Sequence, residues 1–134
     1  MAAFLWAQIE NLDKIQTKRL EHWFCYFTNL KNWALANNIE LMLLPNKETN
    51  NGHLFHLICE SELQRTKLIH HLKINNIHAV FHYISLHSSP FYKAKHDGRA
   101  LENSDKFTNR LLRLPMYFEL DTKAVVDKIT SYGI

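Results

Sequence analysis

Glycine, proline and cysteine are all scarce in this chain of 134 residues, which contains 3 glycines, 3 prolines and 2 cysteines. The glycines stand far apart, at Gly52, Gly98 and Gly133, which excludes glycine-rich phosphate loops of the P-loop or dinucleotide-binding kind. Cys25 and Cys59 lie inside apolar segments and form no C-x-x-C motif. We therefore expect buried thiols in a reducing compartment, and a cytoplasmic protein.

Long apolar runs and strong charge are also missing. No apolar run approaches the roughly 18 residues that a membrane span needs, and the first residues lack a signal-peptide pattern. The net charge is only +3, and lysine and arginine are spread along the chain without a basic stripe. We expect neither membrane insertion nor nucleic-acid binding, and the length is that of a single domain covering residues 1–134.

The N-terminal segment has the pattern of one long amphipathic helix. Apolar residues recur every three or four positions, and no glycine or proline interrupts residues 2–44. We predict a helix from about Ala3 to Asn37, which would be about 50 Å long. A domain of this size is about 30 Å across and cannot cover such a helix. Its N-terminal part should therefore be exposed and available to another domain or a second copy.

The next part of the chain alternates extended and helical patterns. Residues 39–45 are predicted to be extended and 46–52 to form a turn, and residues 53–60 read as a buried strand. A helix that Ser61 caps and Asn75-Asn76 end separates this strand from a second one at 77–84. Such strands need a crossover connection if they are parallel, and a third strand between or beside them if they are antiparallel.

The C-terminal part predicts a surface loop followed by short elements. Residues 85–105 lack periodicity, and loops of that length are often functional. Ser104 or Asp105 should cap a short helix through Leu112, and an extended piece broken by Pro115 follows. Asp121 should cap a last helix that ends at Gly133. Together these patterns predict an α+β fold in which a long helix leads into a small sheet with helices packed on one face.

Nine histidines raise the question of a metal site. His78 and His82 would share a face of one strand and His87 follows the bend, whereas His53 and His56 would lie on opposite faces of theirs. Zinc needs three or four ligands converging at about 2 Å, and no H-x-x-x-H motif or Cys–His pair is present. The pattern therefore favours exposed histidines over a metal centre.

A nucleophilic site is not favoured either. Ser88 and Ser89 lie near His82 and His87, but no G-x-S-x-G elbow and no placed acidic residue accompany them. We predict no catalytic residue in this chain.

Several segments together resemble a known family. They are "AAFLWAQIENLDKIQTKRLEHW" (2–23), "HLFHL" (53–57), "VFHYISLHSSP" (80–90) and "NRLLRLPMYFEL" (109–120). In this order and spacing they resemble the C-terminal third of the DegT/DnrJ family, the pyridoxal-phosphate-dependent sugar-nucleotide aminotransferases of fold type I. The resemblance implies the small C-terminal domain of such an enzyme, with residues 1–37 as the helix that leads out of the large domain.

The resemblance also implies site residues. The family's His-Tyr-x-x-x-His run lies near the mouth of the active site, so His82, Tyr83 and His87 would shape the sugar-nucleotide side of the pocket. The long loop would border it, through Ser88, Ser89 and Tyr92. After Pro90 the sequence "FYKAKHDGRALENSDK" departs from the family pattern.

The family's cofactor chemistry belongs to its large domain. There, a lysine forms the Schiff base with pyridoxal phosphate and an aspartate contacts the pyridine nitrogen. The intact enzyme would transfer an amino group from glutamate to a 4-keto-6-deoxy sugar nucleotide in surface-polysaccharide biosynthesis. We therefore expect a C-terminal fragment or remnant that binds no pyridoxal phosphate and is inactive alone. The alternatives are a non-catalytic interaction module that docks through its exposed N-terminal helix, and a small histidine-lined binding or metal protein.

Overall fold

The computed structural model describes residues 2–42 and 50–133. Within these ranges it contains α-helices and a small antiparallel sheet, in agreement with the predicted α+β class. The elements are, in chain order, α1 (Ala2–Glu10), α2 (Leu12–Ala36), β1 (Glu40–Leu41), β2 (Phe55–Ile58), α3 (Glu62–Ile74), α4 (Glu102–Arg110), β3 (Leu111–Leu114) and α5 (Thr122–Thr130).

The predicted single helix Ala3–Asn37 is wrong in one respect, because Asn11 divides it into α1 and α2. Asn11 leaves helical geometry at φ −106° and ψ 14°, and its side-chain amide donates to the carbonyl of Ala7. An asparagine that bonds to its own preceding turn competes with helix continuation. The exposure expected for the N-terminal part is confirmed, since Phe4 and Trp6 are 74% and 64% exposed.

One face of α2 forms the centre of the core. Trp23, Tyr26, Leu30 and Ala34 recur at helical spacing and are almost completely buried. They pack with the inner face of the sheet and with residues of α3 and α5 in one apolar cluster. Within the described ranges, no helix is both long enough and apolar enough to cross a membrane.

Two helices end with the same Asn-Asn-Ile sequence. After α2, Asn38 takes φ +54° and the N–H of Ile39 donates to the carbonyl of Ala34. After α3, Asn76 takes φ +60° and the N–H of Ile77 donates to the carbonyl of Leu72. This is the Schellman geometry, in which asparagine tolerates the left-handed conformation. The predicted end of each helix at its asparagine pair is therefore confirmed.

The sheet has the order β1-β2-β3, and all its pairings are antiparallel. Phe55 pairs with Leu114 and Leu57 with Leu112, and all four side chains are buried against the helices. His56 pairs with Arg113 on the other face. Because side chains alternate along a strand, the apolar core covers one face, and the second face, here called the open face, carries the half-buried His56 and Arg113 and the buried Ile58.

The predicted strand 77–84 is wrong: only Val80 pairs there, in an isolated bridge with Arg113. Val80 and Arg113 exchange both backbone hydrogen bonds, at 3.1 and 2.7 Å. The pairing cannot extend in either direction along β3. On one side α4 directly precedes β3, and on the other Pro115 directly follows β3 and has no N–H to donate. Since both partners of β3 are antiparallel to it, the Val80 segment runs parallel to β2. The crossover alternative therefore holds, with β3 lying between the two segments.

The predicted loop 85–105 contains two 3-10 turns, Leu86–Ser88 and Lys93–Lys95. The cap predicted at Ser104 or Asp105 is wrong, because α4 begins earlier, after Leu101, and the Asp105 carboxylate instead contacts His87. The predicted end at Leu112 is also wrong, since Leu111 and Leu112 belong to β3.

The side-chain caps predicted at Ser61 and Asp121 are confirmed. Ser61 accepts from the N–H of Gln64 and Asp121 from that of Ala124. The extended prediction 39–45 holds as strand only at Glu40–Leu41, and residues 43–49, including most of the predicted turn, lie outside the described residues.

Candidate functional site

A row of polar side chains crosses the open face of the sheet. His56 comes from β2, Arg113 from β3 and His82 from the edge segment beyond Val80. His56 and Arg113 face each other directly in the antiparallel register, so their side chains are cross-strand neighbours. The row thus places a guanidinium between two imidazoles.

Arg113 and His82 form the closest contact in this row. Nη1 of Arg113 lies 2.6 Å from Nδ1 of His82. A guanidinium only donates, so Nδ1 accepts and the ring proton of the neutral imidazole is on Nε2. The His82 ring also stacks on Tyr83, with centroids 4.2 Å apart and planes inclined by 22°. Arg113 therefore fixes the orientation of His82, and His82 in turn supports the exposed ring of Tyr83.

Both imidazoles beside Arg113 are disfavoured as cations. Burial and then the positive charge of Arg113 lower the pKa of His56 below its ordinary value of 6.5. Desolvation and then the Arg113 charge lower the pKa of His82 in the same direction. At neutral pH the row therefore holds one permanent positive charge, on Arg113, between two neutral rings.

The other sequence-predicted residues lie in the loop and form a second group. Nε2 of His87 donates to Oδ1 of Asp105 across 2.8 Å, and its ring lies 5.2 Å from that of His96. The hydroxyl of Ser88 bonds to the hydroxyl of Ser85, 2.5 Å away, and that of Ser89 donates to the carbonyl of Leu86 at 2.7 Å. Both serine hydroxyls thus support the 3-10 turn, and neither bonds to an imidazole.

A cavity of about 360 Å³ opens beside this second group. The residues that line it are mostly of polar type, among them His87, Tyr92, Lys95, His96, Arg99 and Ser104, and Leu86 and Leu101 add an apolar part. The cations around it have partners within the loop: Nζ of Lys95 lies 4.1 Å from the Phe91 ring centroid, and Arg99 lies 3.6 Å from the Asp97 carboxylate. This cavity lies next to the predicted residues of the loop, but its lining does not include His82 or Tyr83.

The structure therefore brings the five predicted residues into two groups. His82 and Tyr83 lie at the sheet edge, and His87, Ser88 and Ser89 lie in the first turn of the loop. Sequence reasoning missed Arg113 and His56 as members of the first group. The signal that could have found Arg113 is its position in "LLRLP", where alternation places a charged side chain on the face opposite two buried leucines.

Metal-ligand clusters and buried lysines are both missing from the described residues. No cluster of three or more His, Cys, Asp or Glu side chains able to hold a metal ion occurs within residues 2–42 and 50–133. A Schiff-base lysine works in a desolvated pocket, where its neutral form is favoured. Every lysine in the described ranges is exposed or half-exposed on a helix or loop.

Known proteins match this chain over most of its length. The model of the DegT/DnrJ/EryC1/StrS aminotransferase family matches residues 1–131. S. venezuelae DesV, solved in complex with a ketimine intermediate, superposes with a TM-score of 0.83 at 25% identity, over 96% of this chain and 34% of DesV. Helicobacter pylori PseC, an aminotransferase of pseudoaminic acid biosynthesis, superposes with a TM-score of 0.78 at 17% identity, over 92% of this chain and 34% of PseC.

A relative of uncharacterized function shows the same partial coverage. A protein of Methanocaldococcus jannaschii is 28% identical over 102 residues, which are 70% of this chain and 26% of that protein. The chain thus spans about a third or less of the proteins it matches. It belongs to the DegT/DnrJ/EryC1/StrS aminotransferase family.

Proposed function

We propose that this chain is the C-terminal part of a pyridoxal-phosphate-dependent sugar-nucleotide aminotransferase and contributes one wall of its substrate pocket. The observation that carries the proposal is the match to the family over residues 1–131, together with coverage of only about a third of DesV. The remaining two thirds of such an enzyme would supply the Schiff-base lysine and the aspartate. The lysines described here are not placed for that chemistry, so this chain alone would be inactive.

The residues of the pocket wall are those at the end of "VFHYISLHSSP". His82 and Tyr83 would contact the sugar nucleotide from the sheet edge, since Arg113 holds His82 and stacking holds Tyr83. His87, Ser88 and Ser89 would border the pocket from the loop. In this arrangement the pocket wall is orientated by hydrogen bonds before substrate binds, which lowers the entropic cost of binding.

The substrate class we propose is a dTDP-linked 4-keto-6-deoxy sugar with glutamate as amino donor, on the resemblance of the segments quoted above to dTDP-4-amino-4,6-dideoxygalactose transaminase. The reaction would take place in the cytoplasm, in keeping with two free cysteines, one buried and one half-buried.

The exposed apolar residues of α1 would pack on the large, cofactor-binding domain. The apolar side chains of α1 are each more than half exposed and form an apolar patch, which is unfavourable in water: Phe4, Leu5, Trp6 and Ile9. This packing accounts for an apolar helix that the core of this chain does not cover. If α1 instead packs on a second copy of this chain, light scattering of the chain in solution would show a homo-oligomer.

A chimera tests the proposal. The last third of DesV is replaced by this chain, and amino transfer to the dTDP-linked keto sugar is measured. We expect His82→Ala and Tyr83→Ala to lower kcat/KM for the sugar nucleotide by about tenfold or more while the cofactor absorbance is unchanged. Lys93→Ala is the control, since this exposed residue of the same loop is outside the proposed wall.

The chain on its own provides the complementary test. Mixed with pyridoxal phosphate, it should show no internal-aldimine band and no lysine adduct after borohydride treatment. A trapped adduct, or amino transfer by the chain alone, would contradict the assignment of the catalytic lysine to another domain.

A further inference from the structure

We propose that the open face of the sheet carries an oxyanion-binding site, in which the guanidinium of Arg113 binds a phosphate or carboxylate group with His82 and His56 beside it. The proposal goes beyond the proposed function, because it assigns a ligand to Arg113 and His56 and concerns binding by this chain alone.

Arg113 is half-buried and carries a charge that the described part of the chain does not offset. Among the arginines of the described ranges, Arg65 pairs with Glu62 and Arg99 with Asp97, whereas the side chain of Arg113 bonds to the neutral ring of His82. β2, β3 and residues 78–84 contain no aspartate or glutamate, and the carboxylate that β1 places on this face, Glu40, pairs with Lys106 at 2.7 Å. A partly desolvated guanidinium without a carboxylate is a receptor for an external anion, since pairing two opposite charges offsets the cost of desolvation.

The neighbours of Arg113 favour an anion over other ligands. His56 lies directly opposite Arg113 in the register, so the sheet places a titratable imidazole next to a fixed cation. A protonated His56 would place a like charge directly opposite Arg113, which destabilises a strand pair, and an anion bound to Arg113 would remove that penalty. Nδ1 of His82 accepts from Arg113, so the proton on Nε2 remains available as a further donor.

The remainder of the open face lowers the local dielectric. Ile58 and Leu111 form the next cross-strand pair on this face of the same two strands, and the aromatic rings of His82 and Tyr83 stack at the edge. An anion held against this partly apolar surface interacts with Arg113 more strongly than it would in bulk water. The planar fork of arginine binds two oxygens of one phosphate or carboxylate at once, which selects oxyanions over chloride.

The test is an NMR titration of the 134-residue chain with inorganic phosphate, and separately with glutarate, against chloride at constant ionic strength. We expect saturable shifts of the Arg113 Nε–H signal and of the ring signals of His56 and His82. The tighter of the two anions identifies the source of the oxyanion, a phosphorylated ligand or a carboxylic acid.

Matched variants distinguish binding at a specific site from attraction by the positive charge of the chain in general. Arg113→Lys keeps the charge but removes the fork, and it should weaken binding by about tenfold. Arg99→Lys, at an exposed loop position, should leave binding unchanged. His82→Phe, which keeps an aromatic ring to stack on Tyr83, should weaken binding several-fold. Shifts that do not saturate, or that are equal in Arg113→Lys and the native chain, overturn the proposal, whatever the outcome of the DesV chimera.

Discussion

Nη1 of Arg113 lies 2.6 Å from Nδ1 of His82 and joins the central part of β3 to an edge segment that shares only one bridge with it. The bond orders a short stretch of chain that backbone pairing alone would leave loosely held. It also gives this face of the sheet two histidines whose titration depends on one arginine.

Replacing Arg113 with methionine should raise the pKa of both histidines. The Arg113 charge is the second cause, after desolvation, of the lowered pKa values of His56 and His82, so its removal moves each pKa towards 6.5. The measurement is a pH titration of the ring Cε1–H signals by NMR. Lys106→Met is the matched control, since it removes a cation that pairs with Glu40 instead. Unchanged histidine pKa values in Arg113→Met would show that the charge does not act across the row.

The depressed pKa of His56 should make the fold less stable in mild acid. Between the lowered pKa of His56 in the folded chain and its value of about 6.5 in the unfolded chain, His56 binds a proton in the unfolded chain but not in the folded chain. Stability from this residue is therefore fully present above pH 6.5 and is lost as the pH falls towards the folded pKa. Urea unfolding of the native chain at several pH values measures the loss.

The matched variants for this effect are His56→Gln and His70→Gln. His56→Gln should flatten the dependence of the unfolding free energy on pH. His70 is exposed on α3, and its replacement should leave that dependence as it is. An equal effect of both variants would attribute the acid sensitivity to the histidines in general.

Gly52 should tolerate no side chain. Its φ is +58°, and a Cβ added there would lie 2.9 Å from both the carbonyl carbon and the carbonyl oxygen of Arg19 in α2. Gly52→Ala should therefore lower the free energy of unfolding by about 2–4 kcal/mol, of which about 1 kcal/mol comes from backbone strain and the remainder from the steric clash. Thermal or urea unfolding gives the number.

A substitution at Gly98 measures the backbone strain without the steric clash. It also has a positive φ, +82°, but no atom lies within 4 Å of its added Cβ. Gly98→Ala should lose only the strain of about 1 kcal/mol. If both variants lost the same amount, the close approach of residue 52 to α2 would be of no energetic importance.

The features that could be predicted from the sequence are those set by neighbouring residues. Ser61 and Asp121 act as caps and Asn-Asn-Ile ends two helices, because each of these bonds is made within one turn of chain. The strand at 77–84 could not be excluded in this way. Its failure to form depends on β3, a partner more than 25 residues distant, being limited by α4 on one side and Pro115 on the other.

In the candidate site, too, contacts between neighbouring residues could be predicted and contacts between distant residues could not. "VFHYISLHSSP" directs attention to His82, Tyr83 and His87 because they are adjacent in sequence, yet the fold separates His87 from the other two. Arg113 contacts His82 from 31 positions away. No local pattern links these two residues, because their contact depends on the order of strands in the sheet.

A last prediction compares three leucines that differ in burial. Leu30 is completely buried on α2, whereas Leu35 on the same helix is 80% exposed and Leu5 on α1 is 60% exposed. Leu30→Ala should lose about 3 kcal/mol of stability, since it leaves a cavity in the core, and Leu35→Ala should lose less than about 0.5 kcal/mol. Leu5→Ala should resemble Leu35→Ala in urea unfolding of the isolated chain. A loss at Leu5 as large as that at Leu30 would mean that α1 packs on this chain's own core, and the surface proposed to contact the large domain would not be free to do so.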